Sequence, residues 1–86
     1  MADKLEDHQV TERLKHNHRG YPVLDFFHYE HLPEYLQEVS RPFAQQALAM
    51  IDITDKSDPE IAAGLRKLLE AKDCAVRAKV RDVQRG

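Results

Sequence analysis

The chain has 86 residues, 42% of them hydrophobic and 33% charged, with a formal net charge of -2. These values describe one small globular domain with a modest core. No apolar run approaches the roughly 18 residues of a membrane span, and the acidic balance argues against binding polymeric nucleic acid.

One cysteine, Cys74, leaves no internal disulfide framework and fits a reducing cytoplasm. The first ten residues are charged from Asp3 onward, unlike the apolar core of a signal peptide.

Residues 1–25 read as a polar, loosely helical arm. Leu5, Val10 and Leu14 mark one face of a short helix, which by itself is marginal in water. His16 and His18 flank Asn17. With no third ligand at a characteristic spacing, they read as part of a solvated run and not as a metal site.

Gly20 and Pro22 punctuate the chain. Four of its six aromatics follow at once: Tyr21, Phe26, Phe27 and Tyr29. They fit an ordered loop or short extended segment whose rings cover the open side of a helix pair. Asp25, His28 and His31 match no strong metal spacing, so no metal or cofactor is expected.

Pro33-Glu34 suits a helix start, and Leu36, Val39, Phe43, Ala47, Leu48 and Ile51 share its apolar face. Pro42 lies inside this pattern. It predicts a kink, or a break into two short helices with Ser40 as the second cap. A polar turn follows from Ile53 to Asp58.

The last segment is the strongest helix. Ser57 or Asp58 can cap it, Pro59 suits its first turn, and Glu60 faces the positive end of the dipole. Residues 65–80 are rich in Leu, Ala, Lys, Arg and Glu. At about 100° per residue, Ile61, Leu65, Leu68, Leu69, Val76, Val80 and Val83 share one face. Lys72 and Lys79 point into that stripe. They either snorkel to its rim or end in a shared, partly buried anion pocket. Gly64, Ala71 and Ala78 repeat every seven residues, a seam along which another helix can approach closely. Ala-rich helices also arise from propensity alone.

The expected fold is all-α: an antiparallel helical hairpin over 26–86 with a short N-terminal helix or arm, assembling into a homo-oligomer. So short a connection between two long helices allows little besides a hairpin. Residues 61–86 carry seven Lys/Arg against three Asp/Glu, a balance of +4, and the remainder carries -6. Such a helix suits a compact anion held by a few placed cations. No glycine-rich phosphate loop or nucleophile–base constellation is present, so a binding protein is expected rather than an enzyme.

Several pieces occur in a telling order. Phe27-His28-Tyr29 is followed by a proline-bearing helix, a polar turn, and Glu60. Lys67-Leu68-Leu69-Glu70-Ala71 then leads into Ala75, Ala78 and Arg81. This order resembles the small phage proteins that sponge up cyclic oligonucleotide immune signals, the helical-hairpin family of anti-CBASS and anti-Thoeris proteins. The resembling stretch runs from about Phe26 to Arg81.

The resemblance implies a homo-oligomer, commonly a hexamer, in the cytoplasm of the infected host cell. It implies binding of cyclic dinucleotides between subunits without cleaving them, and in some members cyclic trinucleotides at a separate site. Carried over, Tyr29 would stack on a base and Arg41 would meet phosphate. Phe27, His28, Lys72 and Arg81 complete the expected ligand set. Pro59-Glu60 departs from the family's frequent Arg-Glu at the start of the second helix, which bears on the trinucleotide site. Two other readings stand beside this one. One is an oligomeric helical interaction module that docks onto a host or phage protein. The other is a small nucleic-acid-binding protein, disfavoured by the charge.

Overall fold

The computed structural model describes residues 5–86. Among them the elements are α1 (Asp7–Asn17), a 3-10 segment (Pro22–Phe27), α2 (Glu34–Ile51) and α3 (Pro59–Arg85). No strand occurs among the described residues, so the class is all-α. None of these helices is long and apolar enough to cross a membrane.

Residues 7–17 form a packed helix and not a loose arm. Val10 and Leu14 are completely buried. α1 packs against the 3-10 segment and α2. An isolated helix of this length would fray; tertiary burial of two aliphatic side chains is what holds it. The Oε1 of Gln9 accepts from the Glu6 N–H at 2.8 Å, satisfying a donor at the helix start. The Arg13 guanidinium donates to both oxygens of Asp52, at 2.9 and 3.0 Å. That fork ties α1 to the end of α2. The division at residue 25 therefore does not separate the packing: residues on both sides of it share one core.

The aromatic segment is a 3-10 helix and not an extended loop. Its side chains three apart lie above one another. Leu24 and Phe27 point inward and are fully buried, and Phe26 between them is 64% exposed. The 3-10 segment packs against α1, α2 and α3 alike. Tyr21, at its start, accepts a 2.9 Å hydrogen bond on its hydroxyl from the Asp58 N–H. This joins the segment to the first turn of α3.

α2 runs unbroken through Pro42. The missing N–H of Pro42 orphans the Glu38 carbonyl, but both residues lie on the exposed side, where the cost of that missing bond is lowest. Ser40 is therefore mid-helix rather than a cap, and only 1% exposed. The Gln37 side chain donates to the Glu30 and Leu32 carbonyls at 3.2 and 2.8 Å, which pins the 28–33 connection onto α2.

α3 starts as expected. The Asp58 carboxylate accepts from the Glu60 N–H at 2.8 Å, and Pro59 occupies the first turn. With 27 residues it is about 40 Å long, close to the longest dimension of the molecule, 45 Å. Leu65 is its one buried residue. Gly64 faces α2: a Cβ there would stand 2.8 Å from the Met50 methyl. Ala71 and Ala78 are exposed. The seven-residue seam thus starts against the chain's own α2 and continues into solvent.

Burial of Leu14 gives a direct test of whether α1 belongs to the cooperative unit. Leu14→Ala removes a fully buried side chain and should cost about 2–5 kcal/mol, lowering the thermal midpoint by about 4–8 °C per kcal/mol for a domain of this size. Melting followed by circular dichroism reads this out. A variant that melts with the wild type would show that α1 unfolds separately.

Candidate functional site

Two polar centres stand out, and between them they hold the residues expected to bind ligand, except Arg81. The first joins α1, the 28–33 connection and α2. Tyr29 is completely buried, and its hydroxyl donates to Asp7 Oδ1 at 2.6 Å. Arg41 donates to the same carboxylate, Nε to Oδ1 at 2.8 Å and Nη2 to Oδ2 at 3.3 Å. Its guanidinium carbon lies 5.5 Å from the centre of the Tyr29 ring, a cation–π distance.

The electrostatics follow from this geometry. Hydrogen bonds from Arg41 and then Tyr29 hold the Asp7 carboxyl below its ordinary value of 3.8. Burial first, and the neighbouring Asp7 carboxylate second, push the Tyr29 phenol well above its ordinary 10.0. The bond to Asp7 raises Arg41.

This centre corrects two expectations. Tyr29 offers no free ring face for a base, because its ring is core. The Arg41 guanidinium is held by a carboxylate of its own chain instead of standing open to a phosphate. Asp7, which sets both roles, lies 22 and 34 residues away from them in sequence. No local pattern links such distant positions.

The second centre is a cleft of about 290 Å³ between the 3-10 segment, the 28–32 stretch, α2 and α3. Lys72 is its cation. The Lys72 side chain is 12% exposed, its ammonium donates to the Phe26 carbonyl, and it lies 5.7 Å from the centre of the Phe27 ring. Burial lowers its pKa, partly opposed by Asp73 at 4.0 Å. Of the two lysines on the stripe, Lys72 is thus the enclosed one. Lys79 is 39% exposed and 4.0 Å from Asp82.

Phe26, His28, His31, Leu32, Ser40 and Val76 line the cleft together with Lys72. The Ser40 hydroxyl is buried and has no hydrogen-bond partner, a costly state for a polar group. Asp25, also at the cleft, is engaged by His18 Nδ1 at 3.0 Å.

Of the expected ligand set, His28 and Lys72 meet in this cleft. Phe27 is fully buried beneath Lys72, so its ring is support and not a contact face. Arg81 is exposed and lies outside the cleft. Phe26 and Ser40 also line the cleft, and no local motif marks either as a site residue. The inward, three-residue spacing of Leu24 and Phe27 in a 3-10 helix is the signal that turns Phe26 outward. Among the described residues, no group of three or more His, Cys, Asp or Glu is placed to hold a metal ion. The cleft offers an aromatic face, an ammonium and imidazoles, and its lining includes Ser40, whose hydroxyl is buried and unpartnered.

The Asp7 centre carries a pH signature. A carboxyl whose folded value is depressed adds stability above its unfolded value, and that stability is lost as pH falls through the folded one. The wild-type thermal midpoint should therefore drop on acidification below about pH 4, and Asp7→Asn should remove part of that slope. A phenol with a raised folded value acts at the other end: stability should fall above about pH 10, and Tyr29→Phe should flatten that decline. Melting curves across pH for the three proteins decide both. An unchanged slope in Asp7→Asn would mean that the ion pair is not formed in solution.

Compared with protein-family models, with curated proteins and with solved structures, the chain matches none of them.

Proposed function

We propose that the protein binds cyclic oligonucleotide immune second messengers and sequesters them without cleavage, as a phage protein that blocks host anti-phage signalling from the host cell cytoplasm. The observation that carries this reading is the cleft at Lys72. There an exposed ring, Phe26, stands beside a half-buried ammonium and a buried hydroxyl with no partner. A nucleotide needs these three kinds of contact: a face for its base, a cation for its phosphate, and a hydrogen bond for an edge or sugar group.

The site proposed is therefore the cleft, and not the Tyr29–Arg41 pair that the family resemblance implies. The resemblance itself rests on the order of motifs from Phe26 to Arg81. At 290 Å³ the cleft sits at the small end of the roughly 300–1,000 Å³ typical of ligand sites. One copy suits one nucleotide unit, which agrees with a cyclic dinucleotide shared between subunits.

A specific observation also favours the hairpin and its self-association. Met50 lies against Gly64, and Ser40 shares a cleft with Val76; both support an antiparallel pairing of α2 with α3. At about 100° per residue, Val39, Gln46 and Met50 of α2 face away from the side where Arg41 reaches α1. On α3, Ala71, Ala75 and Ala78 share the side of Gly64. Val39, Met50 and Ala75 are only partly buried, and Ala71 and Ala78 are exposed. That is a low face of mostly small and apolar side chains, with the exposed Gln46 among them, suited to a second copy and equally to the docking partner of an interaction module.

Two measurements test these readings. The protein is incubated with a panel of cyclic oligonucleotides, and the supernatant is analysed before and after heat denaturation. Depletion followed by recovery of intact ligand is expected; a degraded ligand or no depletion would contradict sequestration. Phe26→Ala and Lys72→Met should each weaken binding by at least about tenfold, since stacking alone is worth about 1–3 kcal/mol. Tyr29→Phe should bind as wild type. For assembly, Ala71→Leu should overpack the α3 face and lower the mass seen by light scattering. A wild-type monomer at micromolar concentration rules the oligomer out.

A further inference from the structure

Lys72 is an enclosed amine at a cleft wide enough to admit a ring. Its side chain is 12% exposed. The Nζ donates to the Phe26 carbonyl and lies 5.7 Å from the centre of the buried Phe27 ring. Asp73 Oδ1 is 4.0 Å from it. Phe26 and Asp73 both line the cleft, as does Lys72 itself, so the nitrogen is bracketed by cleft residues. Lys15, Lys56 and Lys67 are exposed.

We infer that Lys72 is a carbonyl-capturing amine, which forms a reversible imine with small aromatic aldehydes that enter the cleft. Size, surface and solvation point to this class. A volume of about 290 Å³ holds one substituted ring. Phe26, whose carbonyl anchors the amine, is itself 64% exposed and lines the cleft, and an aromatic ring stacks on such a surface. The amine is largely withdrawn from water. Burial lowers its pKa, and Asp73 opposes only part of that; desolvation of this kind is what turns a lysine into a nucleophile.

The step balances without an oxidant or reductant. The lone pair of the free amine forms a C–N bond to the aldehyde carbon, and the carbonyl oxygen takes one proton from the nitrogen. The C–O bond then breaks, and the hydroxyl leaves as water with the second nitrogen proton, giving C=N. Addition of water reverses it.

The surroundings set the pH dependence. Asp73 on α3 and Asp25 on the 3-10 segment favour the ammonium. His28 and His31 come from the connection that follows, and α2 contributes only the neutral Ser40 to the lining. A bound phosphodiester also favours the ammonium, which cannot attack a carbonyl. Aldehyde capture therefore goes beyond the function proposed above, does not rest on it, and competes with it for one nitrogen.

The test is timed labelling of the full chain with pyridoxal phosphate between about pH 7 and 10. Each aliquot is fixed with borohydride, which delivers hydride to the imine carbon, and peptide mapping by mass spectrometry identifies the lysine modified. A parallel series with uncharged benzaldehyde removes any contribution of the probe's phosphate. With both aldehydes Lys72 should react at least about threefold faster than Lys15, Lys56 or Lys67, the gain that one ring stack alone supplies. The preference should narrow as the pH rises and vanish in urea. Lys72 labelled no faster than the exposed lysines overturns the proposal. So does a preference that survives in urea, or one shown by pyridoxal phosphate alone. A cyclic dinucleotide in excess should slow the labelling of Lys72. Selective labelling that it does not slow upholds the capture and counts against the cleft as the nucleotide site.

Discussion

The fold depends on a short wedge. The 3-10 segment Pro22–Phe27, like α2, packs against every other described element. Its inward residues, Leu24 and Phe27, are completely buried. In so small a domain a few large side chains must supply most of the core. α1 reaches α2 and this wedge, and α3 reaches α2 and this wedge. Without it α1 loses much of the surface on which Val10 and Leu14 are buried. The Tyr21 hydroxyl then carries the linkage onward to the first turn of α3.

The wedge also sorts the polar residues into two classes. On one side, Tyr29 leaves it as a core ring whose hydroxyl must find an acceptor. Asp7 supplies the acceptor and, in doing so, captures Arg41. The three groups satisfy one another, so this centre is structural. On the other side, Phe26 is turned out to solvent and Lys72 is laid across Phe27. The Ser40 hydroxyl is left there without a partner. Unused contacts mark a place where a ligand can gain free energy; satisfied ones do not. That contrast moves the candidate site from the first centre to the second.

The charge distribution fits this division. The cations are concentrated on α3 and the carboxylates elsewhere. Most of the α3 cations are exposed and screened. Lys72 is enclosed, and a charge in such surroundings interacts more strongly with what enters.

The helical class was determined by the sequence itself. Propensity, the cap at Asp58 and Pro59, and the apolar spacing of residues 61–83 are local properties, and a helix is a local structure. The same is true of the start of α2 at Pro33-Glu34. Three matters were decided only by tertiary structure. The packing of α1 depended on partners far along the chain, because two aliphatic residues in a polar helix do not specify what covers them. The continuity of α2 through Pro42 depended on which side of the helix faced water. The roles of the candidate ligand residues depended most on distant contacts. Tyr29 and Arg41 carry the chemistry of a nucleotide site, and only Asp7, remote in sequence, shows that this chemistry is already used. Lys72 was legible as an anomaly on an apolar stripe. What made it a candidate was the carbonyl, the ring and the free hydroxyl that the fold brought around it.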